Sequence, residues 1–384
     1  MENSWLEDAI SREEIHFIAY DEFTHLEKIV ESTSSSIYKA EWENYGLTIA
    51  LKTIKEAYIR KDIFEEFVRE LKHLQSIRFH ENISHFYGIS KDPDGYYKLV
   101  LQYANNGNLR DYLKDNFQKL QWIDKFRIAK EIAKGLVCLH NNGMMHRDLH
   151  SRNVLIHGGS ALIADFGLAK LETSTSVSPS YFHGITAFME PKCFVDQTYK
   201  RNTKSDVYSY GVILWEISSG RKPFQTFKSR EAIAIQIFRG NREKPVEGTP
   251  SEYIELYTQC WDGVPDKRPD MKTALNIINQ LEQKDSNKEI SRSLKGLLDI
   301  AIFDNHINYH DYDEFSEITK IDEEEFGSVY KSVWNKNNRL MIVLKCLKVK
   351  EDYLNELIVQ NFANKVLLSF LMYGQTSINA TQCI

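Results

Sequence analysis

The stretch "HRDLHSRN" at residues 146–153 decides how this chain is read, together with "DFG" at 165–167. It places an acid, Asp148, and an amide, Asn153, in one tight loop between a helical pattern and the strand "VLI". Asp165 adds a second carboxylate at the end of "ALIADF". Two carboxylates and an amide on adjacent turns can hold Mg2+ and orient a hydroxyl, because magnesium takes hard oxygen ligands and few of them from protein. Upstream, "IALKTI" sets Lys52 on a strand with Ala50 on the same face. A lysine there reaches phosphate oxygens, and Glu70, on the following helical stretch, is placed to pin it. Each piece alone is weak, since a lone strand lysine is ordinarily solvated and D-F-G arises by chance. Their order and spacing together are specific.

Around these residues the text changes period. Residues 21–104 favour strands: "SSSIYKAEW", "LTIALKTI" and "YKLVLQY" are short β-branched or aromatic runs, with turn residues such as "KDPDG" (91–95) between them. One amphipathic helix interrupts them, with Ile63, Phe67, Leu71 and Leu74 at helical spacing. From 105 to 282 the pattern is helical, broken by a strand-rich patch at "NVLIHGGSALIADF". Gly143 closes the helix of "WIDKFRIAKEIAKGLVCLHNNG". Residues 1–20 read as a polar lead-in, and 283–311, charged and serine-bearing, as a linker. The expected fold class is α+β, a small β-rich lobe before a larger helical one.

Bulk composition narrows the function classes. The 384 residues are 42% hydrophobic and 27% charged, which are globular values. A formal net charge of −6 argues against nucleic acid or an anionic membrane as partner. Five scattered cysteines without a C-x-x-C pair read as free thiols in a reducing compartment. The acidic start "MENSWLEDAI" is no secretory signal, and "VLLSFLMY" (366–373) is too short to span a bilayer. A soluble cytoplasmic protein is expected.

The stretch from about 22 to 282 resembles the eukaryotic protein kinase domain, on the strength of "IALK", "HRDLHSRN", "DFG" and "SDVYSYGVILWE". "CWDGVPDKRP" and "REKPVEGTP" resemble its tyrosine-kinase-like branch. The resemblance implies a bilobal fold (21–104 and 105–282), ATP and Mg2+ as cofactors, and protein substrates. It implies that Lys52 holds the α- and β-phosphates, Glu70 orients Lys52, Asp148 is the base, and Asn153 and Asp165 bind the metal. The hinge "LVLQYA" would offer adenine backbone groups at Gln102 and Ala104. Leu101 would be the gatekeeper, Leu155 would lie beneath the ring, and Asp206 would brace the catalytic loop. His146 reads as a packed core histidine rather than a proton shuttle.

The chain departs from the family in three places. The phosphate loop, glycine-rich in the family, here carries Val30, Ser32 and Ser35 at the glycine positions and Ser34 at the aromatic one, followed by Ile37. Glycines let backbone N–H groups approach phosphates and permit positive φ; serine allows a close approach at a cost. ATP is therefore expected to bind less well by about 1 kcal/mol, roughly a factor of five. Second, the A-P-E ending of the activation segment is Glu190-Pro191-Lys192, which sets Lys192 against Arg268. Either Lys192 turns outward or Glu190 substitutes from two residues away. Ile185 also replaces the usual threonine. Third, His150 stands where serine/threonine kinases carry lysine, whereas Arg152 is a tyrosine-kinase-like feature. Serine and threonine remain the favoured acceptors. Arg147 before Asp148 suits tuning by a phosphate on the serine- and threonine-rich segment 173–181; a plain flexible loop fits the same residues.

Finally, "KIVESTSSSIYKAEW" at 28–42 returns as "KIDEEEFGSVYKSVW" at 320–334, an offset of 292. Residues 312–360 thus resemble the first strands and helix of a second kinase N-lobe, with Gly327 kept, Lys345 on a strand and Glu356 on a helix. No "HRD" or "DFG" follows. The piece reads as a truncated tandem domain, a regulatory element docking on the first, or a product of faulty gene prediction; 361–384 stay unassigned. Two functional readings are carried forward: a protein kinase acting on Ser/Thr, and a pseudokinase scaffold whose glycine-free loop supports little turnover.

Overall fold

The computed structural model describes residues 4–31, 36–53, 71, 80–165, 185–196, 198–303, 314–324, 327–334 and 340–347. They divide after Lys288 into two units. The first begins with helix α1 (Ser4–Ser11) and a five-stranded antiparallel sheet. Its strands are β1 (Phe23–Glu31), β2 (Ser36–Trp42), β3 (Leu47–Thr53), β4 (Phe86–Lys91) and β5 (Tyr97–Gln102), in the order β1-β2-β3-β5-β4. Alternation along β3 sorts its residues. Ala50 and Lys52 pair across to Leu101 and Leu99 and line one face with them. Ile49 and Leu51 point the other way, fully buried against Ala40, Val100, Phe23 and Trp42.

The lead-in expected at 1–20 is instead part of this lobe. Ile15 and Ile18 are buried, Phe17 bridges to Ile89 in parallel, and His16 O and Ile18 N bond the Ile89 backbone at 2.9 Å each. The segment closes the β4 edge, which would otherwise present unpaired backbone groups. Gly88 permits it, because a Cβ there would sit 2.3 Å from His16 O.

The helical lobe comprises α2 (Leu109–Asn116), α3 (Trp122–Asn141), the hairpin β6 (Val154–His157) and β7 (Ser160–Ile163), then α4 (Thr203–Ser219), α5 (Arg230–Phe238), α6 (Ser251–Cys260) and α7 (Met271–Phe303). Gly158 and Gly159, at φ 56° and 85°, make the hairpin turn. Helix α4 is buried from Ser205 to Ser219 and forms the axis of the core. Asn202 caps its start by accepting from Lys204 N, and Gly220 at φ 66° ends it. The linker expected at 283–311 is helical as far as Phe303. Its three lysines, glutamate and arginine are good helix formers, and no proline interrupts them.

The second unit contains β8 (Phe315–Glu324), β9 (Gly327–Trp334) and β10 (Leu340–Leu347), antiparallel in the order β10-β9-β8. Phe315 pairs with Trp334, Lys320 with Tyr330 and Glu323 with Ser328, as Phe23 pairs with Trp42, Lys28 with Tyr38 and Glu31 with Ser36. The register shifts also coincide at the offset of 292: Thr24/Glu27 and Lys28/Val30 in one, Ser316/Thr319 and Lys320/Asp322 in the other. So do the positive φ angles of His25 (52°) and Glu317 (54°).

Candidate active site

The loop at 146–153 is held from below by Asp206, in the first turn of α4. This carboxylate is 1% exposed and accepts from His146 N–H, Arg147 N–H and His140 Nε2, each at 2.9 Å. Such a buried charge persists only with partners of this kind. The clamp also explains how Arg147 holds φ 68°, left-handed and costly for a side-chain-bearing residue. Its N–H is taken by Asp206, and its carbonyl accepts from Arg201 Nη1 at 2.5 Å. His146 is a core residue, as read from sequence. It is fully buried, burial pushes its pKa down, and its Nε2 donates to Ala164 O at 2.9 Å.

Asp148 follows the strained residue. Burial works against its charge, yet the His150 ring, with smaller help from His146 and Arg201, holds its carboxyl below the ordinary aspartate value. His150 Nδ1 accepts from the N–H groups of Arg152 and Asn153, both at 3.2 Å. The ring proton therefore sits on Nε2, 3.6 Å from Asp148 Oδ2. Sequence reasoning weighed His150 only for substrate preference and missed this contact, which no spacing rule contains. Asn153 Nδ2 donates to Asp148 O at 2.9 Å, so its Oδ1 is the atom left to act as an oxygen ligand.

Asp165 stands two residues past β7 at φ 60°, and its Oδ1 lies 3.0 Å from Lys52 Nζ. These groups are 113 residues apart in sequence. The second carboxylate oxygen of Asp165 and the Asn153 amide oxygen form a sparse, hard donor set. No denser cluster of three His, Cys, Asp or Glu exists among the described residues. Such a set fits Mg2+, which usually keeps waters and substrate phosphates as its other ligands.

Lys52 and Asp165 close one end of a cleft of about 250 Å³. Val30, Ile37, Ala50, Leu101, Gln102, Ala104 and Leu155, the residues assigned to the nucleotide by resemblance, are brought together in its lining. Ile29, Phe86 and Leu99 join them unforeseen; Leu99 is signalled by its pairing with Lys52, two residues before Leu101 on one face. Gln102 N–H is engaged by His85 O at 2.9 Å, so its carbonyl is the group it can offer a purine. Asp148 lies outside this lining, in a separate depression with Arg147, Ile185 and Cys193. Glu70, Ser32, Ser34, Ser35 and the activation-segment candidates at 173–181 lie outside the described residues.

The Lys192 question resolves in favour of Glu190. Glu190 Oε2 receives Arg268 Nη1 at 2.7 Å with both side chains fully buried, and Ser205 Oγ bonds the other oxygen. Lys192 turns away to lie over the Tyr199 ring, 5.4 Å from its centroid.

Comparison with known proteins agrees with this geometry. Residues 23–278 match the family described as protein tyrosine and serine/threonine kinase. A probable LIM domain-containing serine/threonine-protein kinase of Dictyostelium discoideum is 31% identical over 66% of this chain and 38% of its own length. Serine/threonine-protein kinase CTR1 of Arabidopsis thaliana is 30% identical over 66% of this chain and 31% of its own. Serine/threonine/tyrosine-protein kinase HT1 of the same plant is 30% identical over 71% of each. The chain thus spans well under half the length of the first two relatives.

Proposed function

The chain belongs to the protein tyrosine and serine/threonine kinase family, and from that premise we propose that it transfers the γ-phosphate of ATP to serine or threonine hydroxyls of other proteins. The observation that carries the reading is the Lys52–Asp165 pair at 3.0 Å, in the lining of a cleft also walled by the hinge. In this reading Lys52 holds the α- and β-phosphates, with Glu70 as its orienting partner. Gln102 and Ala104 present backbone groups to adenine, Leu101 is the gatekeeper, and Leu155 lies under the ring. Asn153 and Asp165 would hold Mg2+, which when bound neutralises phosphate charge. Asp148, kept ionised, accepts the acceptor hydroxyl's proton. The protein's share is positioning and charge stabilisation.

Serine/threonine preference rests on the names of the relatives, most of which are serine/threonine kinases; HT1 adds tyrosine to its name. A reducing intracellular setting suits the free cysteines Cys138, Cys193 and Cys260. Among the described residues no helix is long and apolar enough to cross a membrane. Residues 312–360 are read as a partial N-lobe repeat, on the strength of the shared register and bulges of β8 and β9.

The pseudokinase reading keeps one observation in its favour: Val30, at a glycine position, lies in extended strand β1 at the cleft. Incorporation of labelled phosphate from ATP by wild type and Asp148→Asn, side by side on a generic protein substrate, separates the two. A signal from wild type that vanishes in the variant is expected; equal signals would sink the enzyme reading.

A further inference from the structure

We propose that a buried polar relay on the far face of the N-lobe sheet, Asp92–Lys98–Thr53–Ser36, sets the foot of the glycine-free loop, making Thr53 a positioning residue for the phosphates of ATP. The inference rests on the kinase reading above.

Lys98 lies on β5 facing away from the cleft and is 4% exposed. A buried ammonium must be satisfied. Here its Nζ lies 3.0 Å from Asp92 Oδ2, 3.0 Å from Thr53 Oγ1 and 5.2 Å from the centre of the Tyr38 ring. Asp92 is itself fixed in the β4–β5 turn, where its Oδ1 accepts from Tyr96 N at 2.8 Å. Lysine can only donate, so Thr53 Oγ1 accepts from it. The threonine proton is then available to Ser36 Oγ, 2.8 Å away and likewise buried. A charged donor at the root strengthens the bonds that follow it.

The ends of this relay give it a functional direction. Ser36 is the first residue of β2 and pairs with Glu31 at the end of β1, so the two together fix where the strands meet at the loop's feet. Thr53 follows Lys52, whose Nζ reaches Asp165. The relay joins the foot of the loop to the strand carrying the phosphate-binding lysine. A glycine-bearing loop adapts to phosphate through its own backbone freedom. Val-Glu-Ser-Thr-Ser-Ser lacks that freedom, and the placement of its feet takes over the task.

The test uses the full chain with Mg2+ and compares binding of a fluorescent ribose-labelled ATP with that of the equally labelled adenosine, alongside thermal melting. Thr53→Val keeps the shape and removes the hydroxyl. It is expected to weaken ATP binding about fivefold while leaving adenosine within twofold, and Thr53→Ser should restore ATP binding. A Val variant that melts earlier but keeps the wild-type ATP-to-adenosine ratio overturns the proposal and reduces the relay to fold stability. If Thr53→Val does not fold, Ser36→Ala carries the same comparison: a weakened ATP arm with adenosine intact supports the relay, and an unchanged ratio overturns it. Wild type binding neither ligand overturns the kinase reading and the relay together, whereas normal wild-type binding with an unchanged variant overturns the relay alone.

Discussion

The sheet β1–β3 and the sheet β8–β10 share register, bulges and even the left-handed residue, His25 in one and Glu317 in the other. They differ in what surrounds them. The first continues into β5 and β4, and its Lys52 meets Asp165 from a segment 113 residues away. The second holds three strands among the described residues, and no "HRD" or "DFG" follows it. Strand pairing is thus a local property that the repeated text is sufficient to specify. The proposed catalytic site is non-local, assembled from a strand lysine, two loops and a buried helix start.

The comparison breaks if the second sheet takes part in chemistry. Asp148→Asn is expected to lower phosphate transfer about a thousandfold, while Lys345→Met should leave it within about twofold. A large loss on changing Lys345 would show that the copies act together. The anchoring of the helical lobe gives the next effect. Arg268→Met leaves Glu190 buried without its cation and should cost about 3–5 kcal/mol by chemical unfolding, whereas Lys192→Ala should stay within about 0.5 kcal/mol. Equal effects would mean that Glu190 is not the anchor. Smaller again is the strap on β4. Gly88→Ala drives a Cβ into His16 O and should cost about 1–3 kcal/mol, with faster exchange of the Ile18 and Ile89 amides. The smallest change exchanges text between the copies. Ser34→Phe with Ser35→Gly imports the Phe326-Gly327 pair and should lower KM for ATP about fivefold at similar kcat. No change would place the handicap elsewhere in the loop.

Part of the candidate site was legible because the proposed phosphoryl transfer calls for particular groups in a particular order. Motif order grouped Lys52 with Asp165, and the structure sets them 3.0 Å apart; Gly143 marks a helix end through backbone geometry alone. What escaped depends on choices between near-equal partners in space. Sequence left open whether Lys192 turns outward or Glu190 substitutes for it; packing around Arg268 shows that both happen. The 1–20 segment looked polar because its anchors, Ile15 and Ile18, are few and widely spaced. The helical form of the α7 extension was not foreseen, because charge and serine suit both a solvated loop and a solvated helix face. The His150–Asp148 contact is set by the ring's bonds to two backbone amides, a detail of loop conformation.

The strap at 15–18 sets the practical boundary of the kinase-family unit. The family match starts at residue 23, beyond the strap. A protein trimmed to that match would lay bare the β4 edge at Ile89 and uncover apolar surface that Ile15 and Ile18 now shield. An open edge of that kind recruits strands from neighbouring molecules, so the shortened protein should clump as it is concentrated, while one that retains the opening helix stays dispersed.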